Sequence, residues 1–206
     1  MYKRLLLLLA LLAAGLLVAC EQDQDAAATQ EPAQPYVSYE SEELGLVLEY
    51  PEGWVAHTGF NGLTIASDQL VIDSNSLSEI GDEAFVTIIP GELALFEMQT
   101  QETFAADQPQ AVLQKYRSLL EDEGQVYTVV EPLTTTTVNG ENLATMVLSS
   151  PVEGETLLTL LGVVINDDFM ALVSAGALEE TFESARPTLE RVVSSIVVTP
   201  PGGGGP

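Results

Sequence analysis

Residues 127–177 read YTVVEPLTTTTVNGENLATMVLSSPVEGETLLTLLGVVINDDFMALVSAGA. Runs rich in Val, Thr, Leu and Ile alternate with short turn signals, the pattern of strands rather than helices. Asn139-Gly140 accepts positive φ and predicts a tight hairpin between Tyr127–Val138 and Glu141–Ser149. Pro151 to Gly154 is expected to break the second strand. Thr156–Ile165 follows, Asn166-Asp167-Asp168 turns the chain again, and Phe169–Ala177 completes the set. Connections this short predict antiparallel neighbours.

Upstream, the same signals recur more weakly. Leu44–Tyr50 (LGLVLEY) is a β-rich run ended by Pro51, and Glu52-Gly53 turns the chain before Trp54. Asn61-Gly62 marks a turn ahead of Leu63–Ser67, and Phe85–Ile89 is a short apolar run capped by Pro90-Gly91. Two helices interrupt the strands. Asp107 or Gln108 caps the first, with Pro109 in its first turn. Val112, Tyr116, Leu119 and Leu120 give it an apolar face, and Gly124 ends it. The second runs from about Glu179 to Ser195, with Phe182, Leu189, Val192, Val193 and Ile196 as its stripe and Pro187 as a kink or a late start. Gln69–Glu83 reads as loop. The fold class is therefore α+β, an antiparallel sheet flanked by helices.

The chain opens with Lys3-Arg4 and fifteen residues, Leu5 to Ala19, without a polar side chain. A spanning helix needs roughly 20 apolar residues, so this length fits a signal peptide better. Leu17-Val18-Ala19-Cys20 resembles the lipobox of bacterial lipoproteins. That resemblance implies removal of residues 1–19 and acylation of Cys20, placing the domain at the cell membrane on its extracytoplasmic face. The alternative is a simple secretory peptide with a coincidental cysteine. Cys20 is the only cysteine, so no intrachain disulfide can form. Residues 20–35 read as an acidic flexible tether, 36–199 as one domain, and 200–206 as a disordered Pro/Gly tail.

From Cys20 onward, four cations stand against 31 anions, a net charge of −27. Such a surface repels nucleic acid and anionic lipid, so no nucleic-acid partner is expected and membrane attachment falls to the acyl chains on Cys20. Basic protein surfaces and cations are the partners that charge would favour. The plainer reading of the acidity, and the preferred one, is solubility, or life in salty or acidic surroundings. Apolar residues make up 46% of the chain, enough for a core.

Catalytic signatures are sparse. His57 is the single histidine, which rules out a zinc site built on several His and Cys ligands. No phosphate-binding glycine loop opens a helix, and no cofactor is expected. A weak calcium candidate gathers Asp73, Asn75, Glu79, Asp82 and Glu83. Read as an EF-hand loop from Asp73, it fails: Leu77, Ser78 and Ala84 occupy ligand or turn positions. Carboxylate pairs for a hydrolase cannot be singled out among so many acids. Trp54 is expected in the core, and Thr134–Thr137 in a β-ladder.

The order of a strand followed by YPEGW, the hairpin VNGENLATMVL and the terminal ARPTLERVVSSIVV resembles the PsbP-like superfamily across about Tyr39 to Val198. This superfamily includes the extrinsic photosystem II protein, bacterial lipoproteins and a Ran-binding nuclear import factor. The resemblance implies an α/β/α sandwich and a non-catalytic binding or assembly role with a protein partner. It carries over no functional residue. Lys115, the one lysine after Cys20, departs from the lysine-bearing docking surface of the photosystem member. The expected function is a lipid-anchored binding or assembly module. The alternatives are a small-ligand or calcium binder and, further off, a carboxylate hydrolase.

Overall fold

The computed structural model describes residues 34–59, 62–73, 83–152 and 154–202. Among these residues ten strands run in chain order: β1 (Tyr36–Ser41), β2 (Leu46–Pro51), β3 (Val55–Gly59), β4 (Gly62–Ala66), β5 (Ala84–Glu92), β6 (Thr128–Val138), β7 (Glu141–Val152), β8 (Glu155–Asn166), β9 (Phe169–Leu178) and β10 (Val197–Val198). The helices are α1 (Gln69–Asp73), α2 (Leu93–Thr100), α3 (Pro109–Asp122) and α4 (Glu179–Ser195).

Two sheets form where the sequence predicts one. Seven strands make an antiparallel sheet in the order β3-β4-β5-β9-β8-β7-β6, and β1-β2-β10 make a smaller one. The β6 to β9 meander pairs antiparallel throughout, as its short turns require. Asn139 and Gly140 adopt φ of 52° and 86° in the predicted hairpin. Thr134–Thr137 lie in the β6–β7 ladder.

Two expected strand breaks are absent. β5 continues through Pro90 and Gly91 to Glu92, and β7 continues through Pro151 to Val152. The pairing explains both. β4 pairs β5 only as far as Ile88, and β6 pairs β7 only as far as Ser149. Each proline thus falls where its strand has lost one neighbour, so its missing N–H costs no ladder bond. Pro132 lies in the outermost strand, within a stretch of shifted register.

The large sheet carries a core on each face. On one face, Val86, Ile88, Leu160, Val164, Val173 and Ala175 pack with Phe182, Leu189, Val192 and Val193 of α4, and Leu46 and Leu48 of β2 join them. Trp54 packs against this core. On the other face, Met146, Leu148, Leu161 and Val163 meet Val112 and Leu113 of α3 and Leu93 and Phe96 of α2. Helices on both faces of the sheet make an α/β/α sandwich. Phe96 also meets Phe104, ring centroids 5.6 Å apart.

Helix α4 runs unbroken through Pro187. The carbonyl that Pro187 leaves without its usual donor belongs to Glu183, on the exposed side of the helix where water can reach it. Glu179 and Glu180 favour the helix start electrostatically. After α4, Val198 N–H is held by the buried Glu141 carboxylate, and Thr199 N–H donates to Gly45 O at 2.8 Å. Gly45 has φ of +62°, and a Cβ there would lie 2.1 Å from Thr199 O, so only glycine fits. Gly202 N–H donates to Glu42 O at 2.7 Å.

Candidate functional site

The strand period places Phe85, Leu148, Thr159, Leu161 and Ser174 on the helix α3 face of the large sheet. They form one side of a cleft of about 520 Å³. Tyr116 and Leu120 of α3 and the segment Gly124–Tyr127 form the other side. Gly124, at φ +87°, ends α3 and turns the chain across the cleft, which brings Val126 to its mouth. Ser150, Pro151, Val152 and Leu157 close one end. Thr159 is buried, whereas Val126 is 70% exposed.

The lining is apolar with a scatter of hydroxyls and carries no formal charge. Burial pushes the Tyr116 phenol above its ordinary pKa. The Glu123 carboxylate pushes it the same way, and a hydrogen bond to Ser174 offsets part of this. Burial, Tyr116 and Glu123 likewise raise Tyr127, whose hydroxyl hydrogen-bonds Gln125 Oε1. Both phenols are therefore neutral at physiological pH and can donate a hydrogen bond.

A second cavity, about 370 Å³, lies on the opposite face between β6, β7 and α4. Arg186 dominates its rim. The guanidinium grips Glu131 through both terminal nitrogens, Nη2 to Oε2 at 2.7 Å, and donates from Nε to Glu190 at 2.7 Å. This grip holds Glu131 below its ordinary pKa and Arg186 above its own. The other cations of the described residues are also paired. Lys115 meets Glu102, Arg117 meets Glu121, and Arg191 meets Glu49 while stacking 3.6 Å over the Tyr36 ring.

Two of the solved structures that this chain resembles share the fold. Cyanobacterial PsbP (CyanoP) from Synechocystis sp. PCC 6803 superposes with a TM-score of 0.53 at 14% identity, covering 85% of this chain and 99% of its own. LpqN, described as involved in cell envelope biogenesis of Mycobacterium tuberculosis, gives 0.53 at 14% identity, covering 82% and 93%. The domain has a PsbP-like fold. No protein-family model and no curated protein sequence matches the chain.

Few of the site residues expected from sequence fall in the described part of this PsbP-like domain. Cys20, Asn75, Glu79 and Asp82 lie outside the described residues, as does the side chain of Asp73. Glu83 immediately precedes β5. No group of three or more His, Cys, Asp or Glu positioned to hold a metal occurs among the described residues. His57 is exposed on β3, opposite Thr64. No helix among the described residues is long and apolar enough to cross a membrane.

No local pattern in the sequence points to the cleft. Tyr116 is legible only as part of a helix's apolar face, and Phe85 only as part of a strand. Thr159 and Ser174 do leave a trace: each is a lone hydroxyl inside an apolar run, LLTLLGVV and MALVSAGAL. Their alignment on one face depends on the β8–β9 register, in which Thr159 pairs with Gly176 and Leu161 with Ser174.

Proposed function

We propose that the protein is a lipid-anchored, extracytoplasmic, non-catalytic binding module. Acyl chains on Cys20 hold it at the cell membrane, and residues 20–35 tether the PsbP-like domain. The observation that carries the binding role is the uncharged cleft beneath α3. Its lining offers apolar contact and hydrogen bonds, the means by which small-molecule sites recognise ligands. The anchor rests on Leu17-Val18-Ala19-Cys20, and the description of LpqN as a cell-envelope protein fits that location. Two acyl chains anchor stably where one does so only marginally.

Fractionation of cells producing the full chain tests the anchor. The wild type is expected in membranes, and Cys20→Ser is expected to leave them or to accumulate unprocessed. Unchanged retention together with unchanged processing would overturn the lipid anchor.

Assembly with a protein partner is the second reading. It draws on Leu95 and Met98, three residues apart on one face of α2 and 55% and 71% exposed. If that face docks a partner, Leu95→Ser with Met98→Ser abolishes a specific crosslink formed in intact membranes. A crosslink indifferent to both changes removes this reading.

A further inference from the structure

We propose that the cleft beneath α3 takes an uncharged, ring-bearing molecule with a hydrogen-bonding oxygen, of the class of phenols, quinones or hydroxylated ring compounds. This rests on the reading of the protein as a binding module and names what the cleft would select.

Size comes first. A volume of about 520 Å³ falls within the range of roughly 300–1,000 Å³ typical of small-molecule sites. The walls favour rings. Phe85, Tyr116 and Tyr127 line the same space from β5, α3 and the segment after it. Gly176 keeps the Phe85 ring close to the sheet. A Cβ at 176 would lie 3.0 Å from Phe85 Cζ and 3.0 Å from Leu158 O, so any larger residue would displace the ring. Aromatic walls of this kind suit a planar or cyclic ligand through offset or edge-to-face contact.

Thr159 supplies the polar requirement. It is 9% exposed and lines the cleft, yet its hydroxyl has no hydrogen-bond partner among the described residues. Oγ1 is not sealed from solvent; it opens to the cleft, where it can bond an oxygen brought in by a ligand. The Tyr116 phenol also remains protonated and adds a donor nearby, whereas the Tyr127 proton is already given to Gln125 Oε1.

Charge narrows the class. No cation lines the cleft, and each of the four described cations already has a carboxylate partner. An anion would enter without a counter-charge, near Glu123 and against a net −27. No carboxylate lies within the lining to replace the water of a strongly hydrated cation, and a weakly hydrated onium held over the aromatic rings is the competing outcome that the trimethylammonium probe reads.

Photo-crosslinking of the full chain in membranes tests this with three probes on one skeleton. These are 4-(hydroxymethyl)benzophenone, its anionic counterpart 4-benzoylbenzoate, and its cationic counterpart (4-benzoylbenzyl)trimethylammonium. The neutral probe is expected to label peptides covering 116–127 and 148–161 saturably, at least several-fold above both charged probes. Thr159→Val, which keeps the shape and removes the hydroxyl, should cut labelling several-fold, and Thr159→Phe should abolish it. Thr145→Phe, in the opposite cavity, should leave it unchanged. Val126→Asp, at an exposed rim position that tolerates the change, should weaken it even if the core variants misfold. Saturable labelling led by a charged probe would overturn the ligand class and leave the binding role standing. Labelling by all three that never saturates, or that ignores both Thr159→Phe and Val126→Asp, would overturn the cleft as a binding site altogether. Neither result bears on the Cys20 anchor, which fractionation reads separately.

Discussion

Glu141 accepts the backbone N–H of Val198 with both carboxylate oxygens, Oε1 at 3.0 Å and Oε2 at 3.3 Å, across 57 residues of chain. Asn166 completes the junction by donating Nδ2 to Glu141 Oε1 at 3.3 Å and to Val198 O at 2.8 Å. A residue at the start of β7 thus fastens β10, which belongs to the other sheet.

Glu141→Ala leaves the Val198 N–H without its acceptor in a buried place. The expected loss is about 1–3 kcal/mol, measured by chemical denaturation, with faster hydrogen exchange at Val198. Glu141→Gln keeps Oε1, which accepts from both Val198 N–H and Asn166 Nδ2, and is expected to hold stability near wild type. Equal losses in the two variants would show that the junction matters through packing alone.

The same pair sets one pH response. Burial raises the Glu141 carboxyl above its ordinary 4.5, more than its hydrogen bonds lower it. The folded state therefore binds this proton more readily than the unfolded state, and stability from this group rises as pH falls through the window just above 4.5. Glu141→Gln should abolish that component. A pH–stability difference curve between the two proteins that is flat across the window would refute it.

Arg186 and Glu131 act in the opposite sense. Hydrogen bonding from Arg186 lowers the Glu131 carboxyl below 4.5, so its contribution is full above 4.5 and lost as pH falls through the lowered value. Both side chains are partly exposed, which limits the pair to about 1 kcal/mol at neutral pH. Arg186→Ala should lose about that much at pH 7 and lose less than wild type on acidification. Arg186→Lys should recover only part, since an ammonium cannot bond both oxygens in the same fork. Full recovery by lysine would mean that charge alone sustains the contact.

Gly45→Ala meets two obstacles, a left-handed φ and the Thr199 carbonyl 2.1 Å from the new Cβ. The conformational cost alone is about 1–2 kcal/mol. Because Gly45 and Glu141 both secure the segment at Val198–Thr199, the double variant Gly45→Ala, Glu141→Ala should lose less than the two singles together. Strict additivity in denaturation would show that the two ends of this segment are independent.

Much of the fold is legible where local signals agree with each other. The meander has strand-forming runs and an Asn-Gly turn, and α4 has a wide apolar stripe, so both emerge close to their true bounds. Helix α2 does not. Its LALFEMQT buries only Leu93 and Phe96 and leaves Leu95 and Met98 exposed, which erases the stripe a helix normally shows. Strand β1 is hidden in a polar-flanked YVSYES and exists through its pairing with β2. The short helix α1 falls in a stretch that reads as loop.

The sequence by itself determined the α+β class, the antiparallel meander and the acidic character, because each depends on composition or on residues adjacent in the chain. Only the tertiary structure decided the second sheet, the place of the prolines within strands, the Glu141–Val198 junction and the cleft. Each of these joins residues far apart in sequence. Strand order and register, set by the burial of two opposed faces, bring Phe85, Tyr116, Thr159 and Ser174 together, and no local pattern encodes that meeting.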